Sequence, residues 1–293
     1  MKKNAEGSGD QIVAHNYALA FIDLLGQQNE LKGCGLLPAF NTSEAKDEFF
    51  SVVKNTIASV HDLQSSCEEM FKAYSSDAFS LRHEVPADKR GIYDALKKTN
   101  IKMQRWSDGL VAYISLGDPT VAVPIKGLFG LLATCGTMCL VGLGKKRPLR
   151  GGLEVAWGVE LRDGEIYGCA VARAYNLESK IAQYPRIVVG PNLIVYIQEC
   201  AAASGDDYLA MFNRKMAGIC IEMLVQDNDG HFIINYLGAA FAQYVAPDNS
   251  AVLVAKAYEF VIEQSEKWRN EKNTTLSLRY TALRDYFEHH MKR

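Results

Sequence analysis

Residues 102–116 read KMQRWSDGLVAYISL, and the reading of this stretch decides the fold. Lys102 to Trp106 and Leu110 to Leu116 are two strand-like runs around Ser107-Asp108-Gly109. An Asp-Gly pair between such runs signals a β-hairpin. Upstream, Tyr17 to Leu25 (YALAFIDLL) is an almost continuous apolar run broken by Asp23 and closed by Gly26. A run of that kind reads as a strand buried on both faces. Between run and hairpin, Thr42 and Ser43 precede an amphipathic helix over Glu44 to Val60, with more helix through Leu63 to Tyr74. The polar stretch 75–92 reads as a connection or insert.

Downstream of the hairpin, residues 127–144 carry no charge, and Lys145, Lys146 and Arg147 follow. That length is the lower edge for crossing a bilayer. Its five glycines and the lack of a second span favour a helix buried against a sheet or a subunit interface. The basic residues behind it suit a solvated helix end. Leu153 to Leu161 and Glu165 to Val171 form a second hairpin around Arg162-Asp163-Gly164. A helix over Ala172 to Gln183, a strand over Arg186 to Gly190 and a helix over Leu193 to Ala203 follow. Cys220 to Val225 and His231 to Tyr236 make a third hairpin around Asp227-Asn228-Asp229-Gly230. Helices over Val252 to Trp268 and Tyr280 to His289 finish the chain. Strands that come in hairpins point to an α+β protein with a ferredoxin-like βαββαβ core, extra helices, and a C-terminal hairpin plus helical extension. The expected organisation is a tail over 1–15, a catalytic domain over 16–240 with a helical insert at about 42–100, and an extension over 241–293.

Composition narrows the function. The chain has 293 residues, 48% hydrophobic and 23% charged, with a formal charge of -2. Disorder is excluded as a description of the whole, and non-specific binding to nucleic acid is disfavoured. The seven cysteines include no CxxC, and Cys135 and Cys139 have no histidine nearby, which argues against zinc. Free thiols fit a reducing cytoplasm. Lys2 and Lys3 are followed by no apolar run, so the start does not read as a signal peptide. No GxGxxG or GxxxxGK[ST] is present.

Two carboxylates stand out. Asp23 interrupts an apolar strand, where a charge is costly unless it meets a cation or several donors. Asp108 sits in the hairpin turn. In a βαββ order the first strand and this hairpin are sheet neighbours, so the two carboxylates converge as a pair able to hold a divalent metal. Taken singly, Asp108 is a turn residue and Asp23 a strand-end cap. Trp106 stands on the face of Asp108 if the strand is regular, although core packing is the commoner fate of a tryptophan. The Asp227-Asn228-Asp229-Gly230 stretch lacks the late glutamate of a calcium loop and reads as a turn.

FIDLLG (Phe21 to Gly26) and WSDGL (Trp106 to Leu110) resemble the two metal-binding motifs of the class III nucleotidyl cyclases. LRGG (Leu149 to Gly152) and GCAVARAYNLESK (Gly168 to Lys180) resemble the strand and helix that follow in that family. The combination is most similar to the pyrimidine cyclases of the bacterial anti-phage system called Pycsar, over about residues 17–190. The resemblance implies that Asp23, Asp108 and the Leu24 carbonyl hold two divalent ions, Mg2+ or Mn2+. It implies that Gly26, Gln27 and Gln28 cradle phosphates and that Arg150 binds the triphosphate. The family's transition-state asparagine and arginine fall here on Ala172 and Asn176. Arg173 or Asn176 takes that role, or Arg173 is a salt-bridge partner of Glu178 or of a neighbouring chain. The base-reading positions fall on Gln104 and Glu165, which match neither the adenine nor the guanine pattern and are consistent with a pyrimidine. A glutamine serves uracil or cytosine by flipping; the preference for UTP over CTP comes from the family. The resemblance further implies a cytoplasmic homodimer with shared active sites and a separate effector protein that binds the cyclic nucleotide, with no nucleic acid and no membrane as partner. The alternative is a catalytically silent relative that binds a nucleotide or a protein.

Overall fold

A computed structural model describes residues 13–26, 37, 39–75, 81–95, 99–117, 124–162, 164–245 and 250–291. β1 (His15–Leu24) leads into α1 (Ser43–Ser75), whose first turn is capped by Thr42, which accepts the Ala45 N–H at 3.2 Å. Two 3-10 turns and α2 (Arg90–Ala95) stand where the sequence suggests an insert. The hairpin of β2 (Lys102–Trp106) and β3 (Gly109–Ser115) follows, then α3 (Pro124–Gly144), β4 (Leu149–Arg162) and β5 (Glu165–Gly168). Next come α4 (Cys169–Asn176), a π-helical turn (Leu177–Ile181), β6 (Ile187–Val189), α5 (Pro191–Ala202) and α6 (Tyr208–Glu222). β7 (Leu224–Gln226), β8 (Phe232–Ile234), α7 (Ala239–Tyr244), α8 (Ser250–Asn270) and α9 (Thr274–Met291) complete the chain.

The sheet runs β2-β3-β1-β4-β6-β8-β7, with β5 paired to β4. β2-β3-β1-β4 is wholly antiparallel, the order that two interleaved βαβ units give, so the expected α+β, βαββαβ core is present. β6 joins β4 in parallel and makes the sheet mixed. β1 is buried on both faces, as a continuous apolar run requires. Ala18, Ala20, Ile22 and Leu24 face one core with α3 residues Leu128, Leu131 and Leu132. Tyr17, Leu19 and Phe21 face a second core with Ala170 and Ala174 of α4. Helices α8 and α9 contribute Phe260, Val261, Leu283 and Phe287 to the first core.

α3 is the buried core helix. Ile125–Gly144 is long and apolar enough to cross a membrane, and 83% of that window is buried within the protein. The basic residues after it make exposed ion pairs, Lys146 with Glu263 at 2.6 Å and Arg147 with Asp62 at 2.9 Å. Three boundaries differ from the sequence reading. Cys169 to Val171 open a helix rather than extend β5, because Gly168, at φ +135°, turns the chain there. Cys220 to Glu222 end α6 rather than begin a strand. In the first hairpin Gly109 belongs to β3, and Ser107 takes the positive φ, +47°.

Candidate active site

Strand register builds the site. Trp106 pairs with Gly109, Gly109 with Asp23, and Asp23 with Arg150. Residues directly opposite in an antiparallel sheet share a face, so Trp106, Asp23 and Arg150 form one row on the face that α4 covers. Asp108 adjoins this row from the hairpin turn. Gly109 leaves the space that the Asp23 carboxylate uses: a Cβ there would stand 2.9 Å from the Ile22 carbonyl and 3.8 Å from Asp23 Oδ1. Two of the sequence-derived candidates, Asp23 and Asp108, are thus brought together.

Arg150 reaches across this row. Its Nη2 lies 3.5 Å from Asp23 Oδ2 and its Nε 2.7 Å from Glu178 Oε1, the latter an ion pair without hydrogen-bond alignment. Glu178 comes from the π-helical turn after α4 and is 2% exposed. π-turns inside helices recur at functional sites. Gly152 explains how this turn reaches the sheet. A Cβ on Gly152 would stand 2.3 Å from the Ala174 carbonyl, 2.4 Å from Leu177 Cβ and 2.7 Å from the Glu178 nitrogen.

The electrostatics follow from this placement. Burial pushes the Asp23 carboxyl up to about 6, and the charge of Asp108 adds to that rise, while Arg150 offsets part of it. Glu178 is also raised, by burial first; Arg150 lowers it, and Asp23 and Asp108 raise it. A desolvated carboxylate beside a second one is a site that gains from a hard divalent cation, and oxygen donors suit Mg2+ or Mn2+. The residues present fit such ions. Among the described residues, no group of three or more His, Cys, Asp or Glu side chains is placed to hold a metal.

The remaining candidates fall elsewhere. Leu24 ends β1 opposite Leu149, its side chain in the core. Gly26 follows at φ +98°, a left-handed conformation that glycine adopts freely. Gln27 and Gln28 lie outside the described residues. Gln104 reaches the strand that carries Glu165: its Oε1 accepts the N–H of Ile166, the residue after Glu165, at 3.3 Å. This bond fixes the amide, since flipping it would set its NH2 against the Ile166 N–H. Asn176 is exposed at the end of α4.

Arg173 departs furthest from expectation. It is not the partner of Glu178; Arg150 is. It lines a cleft of about 380 Å³ with Asn16, Trp157, Cys169, Asn192 and Glu199; burial raises the pKa of nearby Glu154, and backbone N–H groups and then the charge of Arg173 offset part of that rise. Asn16 and Asp23 are seven residues apart along β1, about 24 Å at the usual rise. The cleft that Arg173 lines includes neither Asp23 nor Asp108. Trp106 is not a core residue either: it is 52% exposed.

Reading the sequence did not single out Glu178 as a member of the site. The available signal was Arg150, a cation in an apolar strand that needs a buried anion, but nothing local says which one. Phe21 and Tyr175 were also missed as neighbours of the carboxylates.

No family model and no curated protein matches the chain. Among solved structures, the chain is similar to a bacterial light-regulated adenylyl cyclase at 12% identity and a TM-score of 0.40, covering 86% of this chain and 59% of that one. A second structure of a bacterial light-regulated adenylyl cyclase aligns at 12% identity and a TM-score of 0.36, covering 84% of this chain and 99% of that one. The chain thus spans under two thirds of the length of the first. Likenesses of this strength carry nothing about substrate.

Proposed function

We propose that the chain is a metal-dependent nucleotidyl cyclase that converts a pyrimidine nucleoside triphosphate, UTP before CTP, to the 3′,5′-cyclic nucleotide and pyrophosphate. The observation that carries this is the placement of Asp108 beside Asp23 at the end of β1, where burial and the charge of Asp108 raise the Asp23 carboxyl.

In the reaction the ribose 3′ oxygen bonds to the α-phosphorus, the bond from that phosphorus to the β-phosphate oxygen breaks, and the 3′ proton leaves to solvent. Two divalent ions, when bound, lower the pKa of the 3′ hydroxyl and screen the triphosphate charge. Asp23 and Asp108 would hold them, with the Leu24 carbonyl as a further donor. Arg150, kept in line by Glu178, turns its guanidinium toward the phosphates, where a planar donor pairs with two oxygens. The backbone N–H of Gly26 is a donor to phosphate, a role the motif resemblance extends to Gln27 and Gln28.

Gln104 supports uracil over cytosine. With its oxygen engaged by Ile166, the amide offers N–H donors outward. Such a donor suits the O4 of uracil and opposes the amino group at the same position of cytosine. Glu165 lies beside it. The placement of Arg173 supports a head-to-tail homodimer in which Arg173 or Asn176 of one subunit completes the site built on the other's aspartates. The product is then a diffusible messenger made in the cytoplasm and read by a separate effector protein, and anti-phage defence is the setting that the sequence motifs suggest.

The test is competition. Purified protein with equal UTP, CTP, ATP and GTP and with Mn2+ or Mg2+ is expected to yield chiefly cyclic UMP by mass spectrometry. Predominantly cyclic AMP or cyclic GMP contradicts the pyrimidine assignment, and no cyclic product contradicts the enzyme.

A further inference from the structure

Two large aromatic rings beside the carboxylates are left half in water. Trp106 is 52% exposed and Tyr175 is 49% exposed, and both lean on Phe21, which is 5% exposed. Phe21 meets Trp106 edge-on with centroids 6.1 Å apart and Tyr175 edge-on at 5.3 Å. Phe21 precedes Asp23 by two residues and so shares its face, and Trp106 stands in the same cross-strand row as Asp23. The three rings come from three elements, β1, β2 and α4, and converge on one place.

We infer that Trp106 and Tyr175, seated on Phe21, form the platform on which the base of the substrate stacks; this rests on the cyclase reading above. Buried Phe21 fixes the two exposed rings, so little conformational freedom is lost on contact. Base–aromatic stacking tolerates any base and leaves selection to edge readers, and Gln104 lies on the same face one cross-strand row away, opposite Val111, which pairs with Phe21. The charged neighbours decide between a base and a second protein. Asp23, Arg150 and Asp108 adjoin the rings, whereas the dry centre of a protein interface is depleted of charge. A nucleotide meets both needs, with a flat apolar ring for the aromatics and a polyanion for the charged row.

The experiment measures equilibrium binding of 3′-deoxy-UTP, which cannot cyclise, and of inorganic tripolyphosphate, both with Mn2+. Wild type is compared with Trp106→Ala, Trp106→Phe and Tyr175→Ala. Stacking of this kind corresponds to about a five- to hundredfold change in affinity. Trp106→Ala and Tyr175→Ala are expected to weaken 3′-deoxy-UTP by that factor and to leave tripolyphosphate within twofold, and Trp106→Phe to recover most of the loss. Unchanged nucleotide affinity, or equal loss for both ligands, overturns the platform while a cyclase-active wild type keeps the enzyme reading intact. A change in sedimentation of Trp106→Ala without a base-dependent loss overturns it in favour of a subunit contact. A wild type that binds neither ligand and forms no cyclic product removes the cyclase reading, and the platform with it.

Discussion

Gly152→Ala probes the contact that sets Glu178 against Arg150. A methyl group at Gly152 would lie 2.3 Å from the Ala174 carbonyl and 2.4 Å from Leu177 Cβ, where ordinary contact begins at 3.4 Å. The α4 segment must retreat by about 1 Å, because two of the three atoms met are backbone and cannot rotate away. Overpacking of this kind costs about 1–3 kcal/mol. The better strand propensity of alanine offsets about 0.5–1 kcal/mol of that. The net expectation is a loss of about 1–2 kcal/mol in urea denaturation, together with reduced turnover as Glu178 draws away from Arg150. Gly218→Ala is the control. It lies within α6 with nothing within 4 Å of the added Cβ, so alanine should stabilise by about 0.5–1 kcal/mol. A Gly152→Ala protein as stable as wild type, or one that shifts in the same direction as Gly218→Ala, would refute the close-approach reasoning.

Three other outcomes follow from the same structure. Arg186 is 3% exposed, pairs with Asp227 at 2.6 Å and Asp229 at 2.5 Å, and donates to the Ile181 carbonyl at the end of the π-turn. Arg186→Leu leaves half-buried Asp227 without its buried cation and should cost about 3–5 kcal/mol by denaturant titration; a cost below about 1 kcal/mol counts against a tightly coupled ion cluster. Burial alone would raise Asp229, but hydrogen bonds from Arg186 and the His231 N–H outweigh it and hold its pKa below 3.8. That contribution is present above 3.8 and is lost as pH falls through the lower folded value, so the stability gap between wild type and Asp229→Asn should narrow from pH 5 to pH 3. Mixing Asp23→Asn chains with Arg173→Ala chains should restore part of the lost activity, because one hybrid site keeps all its parts. A mixture as inactive as its components opposes the shared site.

The β1 strand and the first hairpin were legible because their signals are local. Tyr17 to Leu24 is apolar at every position but one, and the exception, Asp23, marks the site. The α3 helix was legible because a charge-free stretch flanked by amphipathic segments has a core to enter. The start of α4 was not, since Gly-Cys-Ala-Val reads equally as the end of a strand, and only the backbone at Gly168 shows the turn. Trp106 was read toward the core because tryptophan usually packs there, yet it ends β2, where the sheet stops covering it. Glu178 lay beyond reach for a different reason. A glutamate after an amphipathic turn looks solvent-facing until the glycine at 152, far away in sequence, is known to draw that turn onto the sheet. The resemblance carried the Leu149 to Gly152 motif without saying why glycine stands at its end, and the packing of α4 supplies the reason.

The most direct test compares wild type, Asp23→Asn and Asp108→Asn for cyclic nucleotide and pyrophosphate formed from UTP at saturating Mn2+, with circular dichroism to confirm that each variant is folded. Wild type is expected to release both products in equal amounts, and each folded variant to fall by at least about a hundredfold, since loss of one ligand charge weakens the ions and the stabilisation they give. Near-normal product from either variant would contradict the claim that these two carboxylates are the centre of the enzyme.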